Sequence, residues 1–235
     1  MKLFAIKSVP LTKWSSDKPL NFKPRMLTVF ILCIGLALFG LGESLIITAG
    51  AGNSPWTVLA QGLSNISGFS IGVLTFIISL VVLILWIPLK QSPGLGTLLN
   101  VVIIAAVIEW SLPYLPYPEN FKFQLLQSVF GILLIGFASG LYLIANLGPG
   151  PRDGLMTGLQ RLTGKPIAWV RTFIEIIIVS TGWILGGTVG LGTLLFAFGI
   201  GSKDTNPYPL DLKAYDETIE HLQNAVENST LGFDD

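Results

Sequence analysis

A handful of charged side chains sit where charge is expensive. Glu43 and Glu175 fall within long apolar runs, and Arg152-Asp153 follows directly on the break Gly148-Pro149-Gly150-Pro151. A charge inside hydrocarbon costs at least a few kcal/mol, so such residues face a cavity, pair with an opposite charge or hold a proton. The chemistry open to them is contact with a solute or ion, or proton relay. Arg152 and Asp153 stand at the start of a short helical segment, where exposed amides favour an anionic or polar ligand; the plainer reading is charge in a cytoplasmic loop. Arg171 lies one turn before Glu175, at the i,i+4 spacing of a helical ion pair. Glu43 is flanked by Gly40, Gly42 and Ser44, which let its helix approach a neighbour closely. Glu109, beside Trp110, reads as a weaker candidate near the membrane boundary.

Other chemistries lack their residues. Cys33 is the only cysteine and His221 the only histidine, so no disulfide, zinc or haem ligand set is expected. There is no P-loop and no nucleophile elbow. The expectation is therefore no catalytic residue, no metal, no cofactor, no enzyme and no nucleic-acid partner.

The elements that must position these charges are membrane helices. Of the 235 residues, 51% are hydrophobic and 12% charged, against about 25% charged in soluble domains. Residues 1–25 carry Lys2, Lys7, Lys13, Lys18, Lys23 and Arg25 and read as a basic cytoplasmic extension. Apolar spans are expected over 26–49, 70–88, 95–112, 124–147 and 167–186, with a short sixth over 190–201. Between the first two lies Gly50-Ala51-Gly52-Asn53-Ser54-Pro55. Gly50 and Gly52 suit the turn, Ser54 reads as a helix-capping hydroxyl, and Pro55 suits a first helical position. Gly148, Pro149, Gly150 and Pro151 repeat that break. The segments 55–66 and 152–162 are too short to cross ~30 Å of hydrocarbon at 1.5 Å per residue. They are predicted to be re-entrant or interfacial helices. Residues 113–123 form an external loop. Residues 202–235 form a polar cytoplasmic tail, with Leu212, Tyr215, Ile219, Leu222 and Val226 at amphipathic-helix spacing.

The chain is internally duplicated. Gly94-Leu95-Gly96-Thr97-Leu98-Leu99 returns as Gly190-Leu191-Gly192-Thr193-Leu194-Leu195. At that same offset Gly52 meets Gly148, Pro55 meets Pro151, Gly68 meets Gly164 and Ile71 meets Ile167. The repeated hexapeptide reads as a register mark between two units, 26–112 and 124–201. Threading six spans puts the basic residues of the N-terminal extension, Lys90, Arg152, Arg161, Lys165, Arg171, Lys203 and Lys213 on one side, and Lys122 alone on the other. The positive-inside rule makes the first side cytoplasmic, with both termini there. Trp86 and Trp169 are placed at the inner boundary, and Trp110, Tyr114, Tyr117 and Trp183 at the outer. Three crossings per unit invert the second unit relative to the first. The expected fold is all-α: a polytopic membrane protein of about six transmembrane helices, or five if the last does not cross. They form two inverted three-helix repeats, each with a short re-entrant helix.

The segments Gly50-Ala51-Gly52-Asn53-Ser54-Pro55-Trp56-Thr57 and Gly148-Pro149-Gly150-Pro151-Arg152-Asp153-Gly154, with the two Gly-Leu-Gly-Thr-Leu-Leu runs, resemble the YczE/YyaS/YitT group of bacterial integral membrane proteins. The resemblance covers about 26–201 and implies an inner-membrane location without supplying a substrate. The functional expectation is a small secondary transporter or exporter of a small solute, with Glu43, Arg152, Asp153 and Glu175 at the substrate. Its partners would be the lipid bilayer, the solute and a second copy of the chain. The alternative is a non-transporting scaffold or accessory subunit for a partner enzyme.

Overall fold

The computed structural model describes residues 12–201. The expected amphipathic tail helix lies outside the described residues. The described residues form eight α-helices in order: α1 (Met26–Ala49), α2 (Pro55–Ser67), α3 (Ile71–Trp86), α4 (Leu95–Ser111), α5 (Phe121–Ile144), α6 (Pro151–Thr163), α7 (Ile167–Ile184) and α8 (Leu191–Gly201). A 3-10 turn, Leu112–Tyr114, extends α4. The second unit's short helix begins at Pro151 rather than Arg152, because proline lacks the amide hydrogen that a first helical position leaves unused.

Among the described residues four helices are long and apolar enough to cross a bilayer: Met26–Ala49, Leu95–Tyr114, Phe121–Ile144 and Ile167–Ile184. A fifth crossing arises if α2 and α3, bent by 116° at their junction, are counted as one span. The expected second span is shorter than the sequence suggested, and the sixth, expected to be short, begins one residue later than expected. α3 has 16 residues, because the chain leaves the helix at Trp86, before Pro88. α8 has 11 residues within the described range. Large apolar side chains such as Phe30, Phe130, Phe137 and Phe173 point outward, as lipid-facing residues do.

The backbone repeats as the sequence does. Every described residue with positive φ has a partner at the repeat offset: Gly50 (71°) with Asn146 (52°), Gly52 (117°) with Gly148 (108°), Gly68 (76°) with Gly164 (65°), and Lys90 (51°) with Gly186 (91°). Two of these pairs mix glycine with asparagine or lysine, so the turns persist where residue identity does not.

The units exchange contacts reciprocally. α1 lies along α5, α2 against α7 and α3 against α6. Along the α1–α5 seam Gly35 faces Leu141 and Tyr142, Gly42 faces Ile135, and Gln127 bonds back to Thr48 at 2.7 Å. The order falls on one helix as it rises on the other, so α1 and α5 run antiparallel. Small residues allow this approach: a Cβ on Gly42 would stand 2.7 Å from Ile135, and one on Gly131 2.8 Å from the carbonyl of Gly42. Glycine seams of this kind replace the hydrophobic effect as the source of helix association in lipid.

The Gly-Leu-Gly-Thr segments are more than a register mark. The Gly96 N–H donates to the Leu147 carbonyl at 2.7 Å, and the Gly192 N–H to the Ala51 carbonyl at 2.8 Å. Each segment thus clasps the helix break of the other unit. Thr97 Oγ1 donates to the Pro149 carbonyl at 2.7 Å. On the other side Asn53 N–H reaches the Thr188 carbonyl at 3.1 Å, and Gln61 Oε1 accepts from both Asn53 Nδ2 and Thr188 N–H at 2.7 Å. In a bilayer, broken-helix backbone must find partners inside the protein. Residues 12–25 close the second break from outside: Ser16 N–H donates to the Ala145 carbonyl at 3.0 Å, and Asn146 Nδ2 to the Ser16 carbonyl at 2.8 Å.

The clasp makes a prediction. Gly52 sits at φ 117°, and its Cβ would stand 2.5 Å from the Gly190 nitrogen; Gly148 is its counterpart. Gly52→Ala and Gly148→Ala should each cost about 2 kcal/mol or more through strain and clash. Gly136→Ala, with no atom within 4 Å of its Cβ, should leave stability unchanged or slightly raised. Thermal unfolding of the purified protein in detergent separates the two outcomes.

Candidate functional site

The breaks deliver the starts of α2 and α6 to the interior, and the candidate charges gather there. Glu43, on α1, is fully buried. Ser54 Oγ donates to it at 2.9 Å and Thr57 Oγ1 at 2.8 Å. Ser54 therefore does not cap α2 with its side chain. Donating its one proton to Glu43 leaves the hydroxyl's lone pairs free to accept, so it is the direction of the side chain, turned toward the buried carboxyl group, that takes the oxygen away from the helix amides.

From the other unit, Arg152 brings a guanidinium nitrogen to 3.8 Å from Glu43 Oε1. That contact is an ion pair without a hydrogen bond. The same guanidinium lies over the Trp56 ring, 5.3 Å from its centre, a cation–π contact. Trp56 and Arg152 occupy equivalent places in the two units, so equivalent positions touch each other here. The Trp56 Nε1–H is buried without a hydrogen-bond partner among the described residues.

Asp153 Oδ2 accepts from Tyr142 Oη at 2.7 Å. The α5 residue Tyr142 meets the edge of Phe39, with ring centres 6.3 Å apart. On α7, Arg171 Nε donates to Glu175 Oε1 at 2.9 Å, the i,i+4 pair expected from spacing. Arg152, Asp153, Arg171 and Glu175 all line one partly open cavity of about 220 Å³. Its wall draws on both units and includes Trp56, Asn100, Tyr142 and Phe196. Glu43 stands behind Arg152, outside the lining. All four sequence candidates thus converge on one region, although Glu43 reaches the cavity only through Arg152.

The remaining candidates divide. Gly50, Gly52 and Gly148 take positive φ as a turn requires. Gly150 does not; its φ is −61°. Space decides there, since a Cβ would stand 3.2 Å from Asp153 Oδ2 and 3.3 Å from the Asn100 side-chain nitrogen. Pro55 and Pro151 open α2 and α6, and Pro149 offers its carbonyl to Thr97. Glu109 lies exposed against Gly72 of α3, away from the cavity. Trp86 is not a boundary anchor: it is buried, donates Nε1–H to the Pro151 carbonyl at 3.0 Å, and fills the space a side chain at Gly154 would need. Trp110, Tyr114, Tyr117, Trp169 and Trp183 are exposed, as interfacial residues are. Sequence reasoning missed Tyr142 and Asn100. Both sit in spans read simply as apolar, and neither carries a local motif.

Apolar helices, a duplicated backbone and charges held in a partly open cavity define an integral, polytopic membrane protein. The described family of unknown function DUF6198 matches residues 26–203. An uncharacterized protein of Haemophilus influenzae is 41% identical over 197 residues, covering 84% of this chain and 89% of the relative. The uncharacterized membrane protein YczE of Bacillus subtilis is 35% identical over 197 residues, covering 83% and 92%. YyaS of the same organism is 30% identical over 166 residues, covering 69% and 83%. No solved structure matches significantly. The chain belongs to this YczE/YyaS-type family, and is a multi-pass protein of the bacterial inner (plasma) membrane.

Removal of Glu43 tests what holds the site. Glu43→Ala strands two buried hydroxyls and leaves Arg152 without its counter-charge; it should cost roughly 2–4 kcal/mol. Glu43→Gln keeps one acceptor and should cost less. In a double-mutant cycle, Glu43→Gln with Arg152→Gln should show coupling of about 1 kcal/mol. Coupling near zero would mean that the 3.8 Å contact does not help join the units.

Proposed function

We propose that this protein is a small secondary transporter or exporter, not an enzyme, and that it works by alternating exposure of the central cavity. The single observation that carries this reading is the cavity itself. Both units build it, and the ion pair from Glu43 of α1 to Arg152 of α6 joins the two units behind its wall. The antiparallel course of α1 and α5, with the reciprocal clasps, supports an inverted arrangement of the repeats. Two copies of one unit in opposite senses can reach outward-open and inward-open states of similar energy. On this reading Arg152 and Asp153 contact the solute, Glu43 positions Arg152, and Glu175 with Arg171 forms a relay on the facing wall. Both termini are cytoplasmic. Gly136 and Gly140 on α5 leave open space where a Cβ would stand, a surface on which a second copy could pack.

The scaffold reading rests on the basic extension and the amphipathic tail, most of which lies outside the described residues. It predicts that charge-neutral changes in the cavity alter nothing.

Topology is tested by impermeant thiol labelling of intact cells. Cys33 is replaced by Ala, and single cysteines are placed at Tyr117 and Thr163, both exposed. Tyr117→Cys should label from outside and Thr163→Cys only after lysis. Labelling of both in intact cells would remove the inverted arrangement. For function, a solute screen in proteoliposomes is followed by Glu43→Gln and Asp153→Asn. Each should reduce flux at least tenfold while the protein still elutes as a folded species. Unchanged flux in both would dissociate transport from this cavity.

A further inference from the structure

The chemistry of the guest can be read from the charges around the cavity, given the transport reading. Two carboxylates, Asp153 and Glu175, and two guanidinium groups, Arg152 and Arg171, line it, and a third carboxylate, Glu43, stands behind Arg152 and shares its charge. With all five ionised, the site is one positive charge short. An uncompensated charge is costly in a low-dielectric interior, so a proton or a monocation is the occupant that balances it.

The shortfall falls on one residue. Glu175 is closed by Arg171 at 2.9 Å. Glu43 has Arg152 at 3.8 Å and two hydroxyl donors. Among the described residues Asp153 has no Lys or Arg nitrogen within the 4.0 Å of an ion pair, and the hydrogen-bond donor to its carboxylate is the hydroxyl of Tyr142. An anion, which the start of α6 would otherwise attract, meets a negative charge already in place in the first turn.

The surrounding wall fits a carbon-bearing cation better than a bare metal ion. Phe39, Trp56, Tyr142 and Phe196 line it beside hydroxyls such as Thr75 and Ser139, and among the described residues no three acidic, His or Cys side chains converge there as a tightly held hard cation would require. Aromatic faces attract weakly hydrated cations. The protein itself displays the preference: the Arg152 guanidinium rests on Trp56 at 5.3 Å rather than closing a hydrogen bond to Glu43. The cavity volume, about 220 Å³, falls below the ~300–1,000 Å³ of drug-sized pockets, so the guest is small.

We propose that the cavity binds a small organic monocation, an amine or quaternary ammonium, with its charge against Asp153 and its carbon atoms on the aromatic wall. Arg152 is then a tethered cation that shares this wall. Arrival of the guest drives it toward Glu43, which tightens the contact between α1 and α6.

The test is isothermal titration of the full-length protein in nanodiscs with tetramethylammonium, butylammonium, acetate and glycine, at one ionic strength. Tetramethylammonium or butylammonium should bind, and acetate and glycine should not. Asp153→Asn should weaken cation binding at least tenfold, and Asp153→Glu should retain it. Should Asp153→Asn not fold, Phe39→Leu, which leaves every charge in place, should weaken binding at least threefold. Failure of both cations to bind at millimolar concentration overturns the proposal. So does tighter binding of acetate or glycine, or unchanged cation binding in the variant that is read. Cation binding with no flux in proteoliposomes would remove the transport reading and keep this one. Flux of an anion or neutral solute, with neither cation bound, would do the reverse.

Discussion

Inside a bilayer every backbone carbonyl and amide must be satisfied by the protein itself. This molecule breaks its helices twice in its buried interior, around Asn53 and Gly148, so it must supply partners for the freed groups twice. The supply is reciprocal. Gly96 bonds to Leu147 and Gly192 to Ala51, so each unit completes the other. Neither break has all its backbone partners without the opposite unit, which makes the duplicated halves one structure rather than two beads on a chain.

That constraint also locates the chemistry. Because the clasps hold both breaks in the interior, the first residues of α2 and α6 project inward. Equivalent positions then meet: Trp56 from one unit carries Arg152 from the other. A duplicated frame would place like beside like there. Substitution has placed an aromatic ring beneath a cation, with Thr57 turned to Glu43 and Asp153 turned to Tyr142. The asymmetry that gives the cavity its charge is thus confined to a few side chains on a shared backbone, whose positive-φ turns repeat even between Gly50 and Asn146 or Lys90 and Gly186.

Local features were legible from residue order. Pro55 and Pro151 open their helices because proline leaves no unsatisfied amide at a first position. Arg171 and Glu175 pair because one helical turn brings them together. Where residues could serve two purposes, local reasoning chose wrongly. Ser54 reads as a cap, yet its proton goes to Glu43. Trp86 reads as a boundary anchor, yet Gly154 opens a space for it beneath α6. Gly150 reads as a turn, yet its backbone is extended and its lack of a Cβ makes room for Asp153 and Asn100.

By itself the sequence determined the membrane class, the repeat and the positions of the two breaks, since apolar length, internal identity and proline placement are properties of neighbouring residues. It also singled out the charges, because charge inside an apolar run is conspicuous wherever it points. Tertiary structure alone decided which charges meet. Glu43 and Arg152 lie in different units, further apart in sequence than the repeat offset, and only the antiparallel seam of α1 and α5 with the crossed clasps brings them to 3.8 Å. The repeated Gly-Leu-Gly-Thr gained its meaning in the same way. Its glycines could be counted in the sequence, but the carbonyls they approach belong to the other half of the chain.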